Sequence, residues 1–356
     1  MIKIKIGSQL ISETSSPYVI AEIGVNHECS LSLAKKLMWK AKIGGANAVK
    51  FQTYKADLIT SKNSPAYWDK KKEKTKSQYE LFKKYDLFNF SDYLELYRFS
   101  KKIRVDFAST PFDIESVDYL SKIVAFFKIS SSDITNFPLL KKVASKKKLI
   151  ILSTGASSLK EIQEAVNFLR KNGCKSIVIM HCVLSYPTKE NDANLGMILD
   201  LKNNFPNNVI GYSDHTFPKD MNNILYSYLL GARVIEKHFT LNKKQKGNDH
   251  YHSMDVKDLK KFIFLVKKSR LVLGSFKKKI LKCEIKSRKY ARRSLVLKIN
   301  LPKGNKIRED HLICKRPGVG ISPKYINKVI GCTIKNNLLE DHILKWEDLK
   351  KNLKLA

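Results

Sequence analysis

The 356-residue sequence is short of acid: Asp and Glu number 33 against 67 Lys and Arg, a formal net charge of +34. It also lacks any Cys-x-x-Cys pair. Its six cysteines, Cys29, Cys174, Cys182, Cys283, Cys314 and Cys332, are scattered, which excludes a disulfide-dense scaffold and a thiolate-built structural zinc site. Such usage fits a reduced, cytoplasmic protein. No stretch approaches the ~18 apolar residues of a membrane span, and Met1 to Gln9 alternates Ile with Lys instead of forming the apolar block of a signal peptide. Neither export nor insertion into a membrane is expected. Aromatic residues interleaved with Arg, which a single-strand reader needs, are missing. The excess charge is mostly Lys in runs such as Lys70 to Lys72, Lys146 to Lys148 and Lys277 to Lys279. These read as solvated faces, so no specific nucleic-acid partner is expected, only weak, salt-sensitive binding of polyanions.

What is present is a rhythm. Eight short apolar or β-branched runs end in residues able to do chemistry: Glu22, Lys50, Ser109-Thr110, Lys128, Ser153-Thr154, His181-Cys182, Asp214-His215, and Glu236 with His238. Helical stretches such as Ser30 to Lys42 and Leu159 to Asn172 lie between them and close at Gly44-Gly45 and Gly173. Strand and helix in alternation, with polar residues at the strand exits, predict a parallel (β/α)8 barrel whose site sits at the C-terminal face. Ile2 to Ile11 reads as a hairpin turning at Gly7-Ser8 and flooring the barrel. The segment Asp57 to Phe90, with Trp68, Tyr79 and Tyr85, is too long for an ordinary connection and reads as a partly helical excursion over the site. Asn242 to Ser253 reads as a lid loop before a last helix, Val256 to Leu273. The expected division is a barrel with its hairpin over 1–280, a linker over 281–290 and a small module over 291–352. Within the module, Ser294 to Ile299 and Lys328 to Ile334 read as strands, and Ile307 to Leu312 and Ile343 to Leu349 as a pseudo-repeat.

Two constellations carry chemistry. Lys50 and Lys128 each sit in an apolar strand, where an ammonium costs several kcal/mol unless an anion compensates it. With Thr110, Ser131, Ser153 and Thr154 nearby, they predict a bound phosphate or carboxylate. The alternative is an internal ion pair with Glu22 or Glu236. His215 and His238 end adjacent strands at one level, a pair suited to a borderline divalent ion such as Mn²⁺, Co²⁺ or Zn²⁺. On spacing alone, hydrogen bonds inside the barrel mouth explain them better than a metal does.

The motifs Ala21-Glu22-Ile23-Gly24-Val25-Asn26-His27-Glu28, Val49-Lys50-Phe51-Gln52-Thr53, Ser109-Thr110-Pro111-Phe112, Lys128-Ile129-Ser130-Ser131, Ile151-Leu152-Ser153-Thr154-Gly155, Tyr212-Ser213-Asp214-His215-Thr216, Glu236-Lys237-His238-Phe239-Thr240 and Lys315-Arg316-Pro317-Gly318 resemble, in order and spacing, the sialic acid synthases. The small module resembles the antifreeze-like (SAF) domain. The resemblance implies condensation of phosphoenolpyruvate with the open-chain aldehyde of an N-acylated mannosamine-type sugar, giving a nine-carbon 2-keto acid and phosphate. It implies Mn²⁺ on His215 and His238, with Mg²⁺ or Co²⁺ as substitutes. It assigns Lys50, Thr110, Lys128, Ser131 and Ser153 to phosphoenolpyruvate, and Glu22 and Asp249 to proton transfer or the sugar hydroxyls. It also implies a swapped homodimer in which the partner's Arg316 reaches the N-acyl group. The plainer readings are a solvated loop acid at Asp249 and a structural salt bridge at Arg316.

The chain departs from that pattern in three places. Val183-Leu184-Ser185-Tyr186-Pro187 replaces a Thr and a small polar residue, so Tyr186 or a backbone amide is expected to take over a contact to phosphoenolpyruvate. Cys29 stands where Gly is common. Lys246-Gly247-Asn248-Asp249 replaces a more Pro-rich loop. Two other readings stay open: a phosphoenolpyruvate aldol-type synthase for a different aldose, and a non-catalytic protein whose SAF module binds ice or a polyanion.

Overall fold

The computed structural model describes residues 2–68, 70, 73–247 and 249–350. Lys71 and Lys72 of one lysine run, Asn248 of the lid loop, and the last two residues of the expected 291–352 module lie outside these.

The chain divides into two units, Met1–Val272 and Leu273–Ala356. In the first, a hairpin of β1 (Lys3–Ile6) and β2 (Gln9–Ser12) precedes eight parallel strands. These are β3 (Tyr18–Gly24), β4 (Ala48–Thr53), β5 (Asp106–Pro111), β6 (Phe127–Ile129), β7 (Ile150–Ser153), β8 (Ile177–Cys182), β9 (Val209–Asp214) and β10 (Val234–His238). They pair in sequence order, and β10 returns to β3, closing the barrel. Strands covered on both faces need no polar alternation, which is why they read as apolar runs.

Alternation within each strand still decides what faces the lumen. Ile20, Ala48, Ala108, Phe126, Ile151, Val178 and Val234 form an inner cluster, whereas their neighbours Val19, Val49, Phe107, Phe127, Ile150, Ile179 and Ile235 pack outward under the helices. Successive side chains on a strand point to opposite faces, so residues two places on from the inner cluster also face inward. Glu22, Lys50, Thr110, Lys128, Ser153 and Glu236 inherit that direction. The register aligns them: Glu22 pairs with Lys50, and His238 with Glu22.

The hairpin floors the barrel as expected, since Ile6 and Ile11 join the inner cluster. Its turn needs glycine: Gly7 has φ +54°, and a Cβ there would sit 1.8 Å from Asp106 Oδ2. The helices Leu31–Gly44 and Leu159–Lys171 start at the side-chain caps Ser30 and Ser158. The excursion holds two helices, Ala56–Ile59 and Gln78–Tyr85, and the last barrel-unit helix runs Val256–Leu273. Among the described residues no helix is long and apolar enough to cross a membrane.

In the second unit, β11 (Ser294–Leu297) pairs antiparallel with β12 (Leu312–Lys315) over a core that includes Leu295, Leu297, Ile307, Ile334 and Leu344. The segment read as a linker, 281–290, holds a 3-10 turn at Lys282–Glu284 and most of a helix, Ile285–Ala291. The expected strand Lys328 to Ile334 is corrected. Ile326–Val329 is a helical turn, Gly331 takes φ +83°, and only isolated bridges at Thr333 and Ile334 remain. Four apolar residues around a left-handed glycine resemble a strand in composition and are broken in backbone. The pseudo-repeat is real in shape, because 3-10 turns at Glu309–His311 and Trp346–Asp348 occupy equivalent places in the two stretches.

Candidate active site

Strand parity sorts the polar exits into two groups. His181, Asp214, Thr154 and Lys237 turn away from the lumen. His181 Nε2 bonds the Ala193 carbonyl at 2.8 Å, Thr154 donates to the Met180 carbonyl, and Lys237 Nζ meets Asp214 Oδ2 at 2.7 Å. That buried Lys237–Asp214 pair is braced by Tyr212, whose hydroxyl donates to Asp214 at 2.9 Å. These residues hold the strand ends in place.

The other group meets in a cavity of about 80 Å³ lined by Glu22, Lys50, Thr110, Lys128, Ser131, Ser153, Tyr186, His215, Glu236 and His238. All ten are thus brought together. Lys50 Nζ lies 2.7 Å from Glu22 Oε2 and 3.7 Å from Glu236 Oε1, and donates to Thr110 Oγ1 at 3.0 Å. Lys128 Nζ lies 3.5 Å from the same Glu236 oxygen. The internal ion pair left open by the sequence is therefore formed. Burial opposes charge on Glu236, yet Lys128 and Lys50 overcome it and hold the carboxyl down at about 2. For Glu22 burial dominates, only partly offset by Lys50 and reinforced by Glu236, so its carboxyl is raised above the usual range. Two ammonium groups thus face one firm carboxylate and a second that is drawn towards its neutral form. Two buried ammonium groups, with the hydroxyls of Thr110, Ser131 and Ser153 in the same wall, offer donors that a bound anion would accept. Ser153 Oγ and Glu236 Oε2 have no hydrogen-bond partner among the described residues, so the cavity wall keeps polar capacity in reserve.

A second cavity of about 310 Å³ opens beyond the first and shares Gln52, Phe112, Ser130, Tyr186 and His238 with it. Its walls are aromatic: Tyr54, Tyr67, Trp68, Phe82 and Tyr85, with Leu184 and Asp249. Its described lining contains no lysine or arginine. Trp68 and Tyr85 of the excursion are here. Tyr79 is not, since its hydroxyl is spent on Asp57 at 2.7 Å at the surface. Arg316 belongs to the second unit, exposed just beyond β12.

His215 and His238 face the same inner cavity. His215 Nδ1 donates to the Val183 carbonyl at 2.9 Å, which leaves Nε2 as the ring's lone-pair atom, the arrangement usual behind a ligating histidine. His238 Nδ1 lies 3.1 Å from Asp249 Oδ2, and the two imidazole centroids are 5.5 Å apart. Burial works against protonating His238, but Asp249 and then Glu22 outweigh it and raise the imidazole above its ordinary value. Burial likewise opposes charge on Asp249, and His238 overrides it, so the carboxyl is held well below the usual range. Nitrogen and carboxylate donors together suit a borderline ion.

Several contributors were missed in the sequence. Gln52, which donates to Glu22 Oε1 at 3.1 Å, and Ser213, which donates to Glu236 Oε1 at 3.3 Å, lie two residues from Lys50 and His215, so parity alone would have found them. Tyr67 and His252 sit outside the strands and carry no such signal. Cys29 has φ +57°, a left-handed backbone that explains why glycine suits the position.

Comparison with known proteins follows the same division. Residues 37–278 match the NeuB family and residues 292–350 the SAF domain. The chain is 42% identical to the N,N'-diacetyllegionaminic acid synthase of Campylobacter jejuni, over 92% of this chain and 98% of the relative. It is 34% identical to the N-acetylneuraminate-9-phosphate synthase of Drosophila melanogaster, over 92% and 94%. The crystal structure of N-acetylneuraminic acid synthetase from Leptospira borgpetersenii is 34% identical, with a TM-score of 0.71 over 80% of this chain and 94% of that one. Barrel, converging charges and matched families lead to one conclusion: the chain belongs to the NeuB family, the phosphoenolpyruvate-dependent sialic and nonulosonic acid synthases, and ends in a SAF domain.

Proposed function

We propose that the protein condenses phosphoenolpyruvate with the open-chain aldehyde of a diacetamido-trideoxyhexose to give a nine-carbon 2-keto sugar acid and inorganic phosphate. The observation that carries the reading is the convergence in the inner cavity of the buried ammonium groups of Lys50 and Lys128 on Glu236, beside the hydroxyls of Thr110, Ser131 and Ser153. Lys50, Lys128 and the hydroxyls of Thr110, Ser131 and Ser153 hold the phosphate and carboxylate of phosphoenolpyruvate, with Tyr186 closing over them. C3 of phosphoenolpyruvate forms the new bond to the aldehyde carbon, and the aldehyde oxygen takes a proton, for which Glu22 of the cavity wall is the proposed donor. Water adds at C2, and phosphate departs with cleavage of the C2–O bond, leaving the keto group.

A divalent ion, Mn²⁺ by preference, would be held by His215 and His238 and would supply positive charge for the developing alkoxide. Asp249 orients the sugar hydroxyls from the lid loop. Arg316 of a partner subunit meets the N-acyl group, which makes the working unit a homodimer. The choice of sugar rests on the outer cavity. Its aromatic walls suit acetamido methyl groups and a deoxy carbon. The likeness to the Campylobacter legionaminic acid synthase supports the same choice.

The test is phosphate release from phosphoenolpyruvate by chelator-stripped protein, with and without Mn²⁺, across N-acetylmannosamine, its 6-phosphate and diacetamido-trideoxyhexoses, with product masses by mass spectrometry. Metal-dependent release with the diacetamido sugar is expected. Release only with a simple aldose phosphate would overturn the sugar assignment, and no release from folded dimer would overturn the reaction.

A further inference from the structure

The lid loop carries two histidines two residues apart, and they are treated oppositely. His250 is fully occupied: its Nδ1 pairs with Thr240 Oγ1 at 2.8 Å and its Nε2 lies 3.4 Å from Glu28. His252 is 0% exposed, yet neither ring nitrogen has a hydrogen-bond partner among the described residues. A neutral imidazole carries one N–H and one lone pair, and leaving both buried and unsatisfied is unfavourable. The position is not slack. Ser253 Oγ is held by Asn26 Nδ2 at 3.1 Å, Asn26 also ties the Phe239 carbonyl, and Met254 N donates to the His238 carbonyl at 2.8 Å. The backbone therefore pins His252 beside β10, its ring 5.0 Å from that of His238. Ligating atoms of His238, Asp249 and His252 all lie within 4.8 Å of one another.

We infer that His252 is a further ligand of the divalent cation, joining the cation site from the lid loop, so that the loop which carries Asp249 is itself fastened by the ion. The inference rests on the cation reading above and extends it to a residue that neither strand parity nor the motifs single out. Its chemical content is a third imidazole donor added to those of His215 and His238, which favours Mn²⁺, Co²⁺ or Zn²⁺ over Mg²⁺. It gives one of the two unpartnered ring nitrogens a bond that no described neighbour offers.

The experiment measures metal binding directly, without turnover. Chelator-stripped wild type, His252→Ala and His252→Gln are titrated with Mn²⁺ by electron paramagnetic resonance, and their Co²⁺ complexes are compared by visible absorption. Circular dichroism and melting temperature without metal establish folding. Expected are a Kd for Mn²⁺ raised roughly tenfold or more in both variants, an altered Co²⁺ ligand-field spectrum, and a smaller rise in melting temperature on adding metal. The Gln variant, which keeps bulk and polarity, guards against a collapsed loop in the Ala variant. Unchanged Kd and unchanged spectrum in a folded variant would overturn the role of His252 while leaving the cation reading intact. Absence of Mn²⁺ binding in the wild type would overturn the cation reading itself, and this inference with it.

Discussion

The two cavities at the barrel mouth are built on different principles. The inner one is made of strand residues fixed by register, small, and filled with charge. Its members answer one another within a few ångströms: Lys50 with Glu22, and Lys128 with Glu236. The outer one is made of excursion and loop residues, larger and aromatic, with Asp249 as a carboxylate of its own. A barrel wall holds a charge constellation to the tolerance that chemistry needs, whereas loops can vary what is recognised without disturbing it. We accordingly assign, as part of the proposed function, the reaction common to the family to the inner cavity and the choice of sugar to the outer one.

The largest expected effect breaks the inner side. Lys128→Ala leaves Glu236 buried with one fewer counter-charge, which should cost about 3–5 kcal/mol of stability. Turnover should fall by a factor on the order of 100 or more, seen in phosphate-release assays alongside denaturant melts. A stable, active variant would dissolve the distinction between the cavities.

A sharper probe contrasts the two carboxylates with pH. Glu236 is depressed from 4.5 to about 2, so it stabilises the fold above pH 4.5 and that contribution is lost as pH falls from 4.5 towards 2. At pH 7, Glu236→Gln should lose roughly 3 kcal/mol, with the gap to wild type closing in acid. Glu22 is raised, so its sign is opposite. Its contribution is present below pH 4.5 and lost as pH rises through its folded value, so Glu22→Gln at pH 7 should be at least as stable as wild type while losing turnover. Chemical denaturation from pH 3 to 8 measures both, and parallel curves for the two variants would contradict the assignment.

On the outer side the effects should be smaller and confined to sugar. Trp68→Ala is expected to raise KM for sugar by about tenfold and to leave KM for phosphoenolpyruvate unchanged. Tyr79→Phe, on the same excursion but outside the cavity, should alter neither. Arg316→Ala should raise KM for sugar severalfold more than KM for phosphoenolpyruvate. Equal effects on both would make Arg316 structural, and truncation after Ser287 should abolish activity if the partner's arginine is needed.

What the sequence revealed follows the same division. Strand order, the hairpin floor and nine of the ten inner residues named above were legible, because a parallel barrel brings polar residues at and just after strand exits to one end, while Tyr186 was reached only as a departure from the family's motif. Which exits face inward was not read, although the period-2 rule separates Lys50 and Gln52 from Ser109, and His215 from Asp214 and Lys237. The outer wall was only partly legible. Trp68 and Tyr85 were marked by the length of their segment, but nothing local distinguishes them from Tyr79. His252 was invisible, because its burial depends on Asn26 and on the backbone bonds of β10, far away in sequence. In the second unit, Lys328 to Ile334 misled because composition alone does not register the left-handed turn at Gly331.

The most direct test of the two-cavity division is a calorimetric titration of phosphoenolpyruvate into wild type, Lys128→Ala and Trp68→Ala without sugar present. Expected is binding to Trp68→Ala at the wild-type Kd and binding to Lys128→Ala weakened by about tenfold or more. Unchanged affinity in Lys128→Ala, or a loss in Trp68→Ala as large as in Lys128→Ala, would contradict the placement of the anion in the inner cavity.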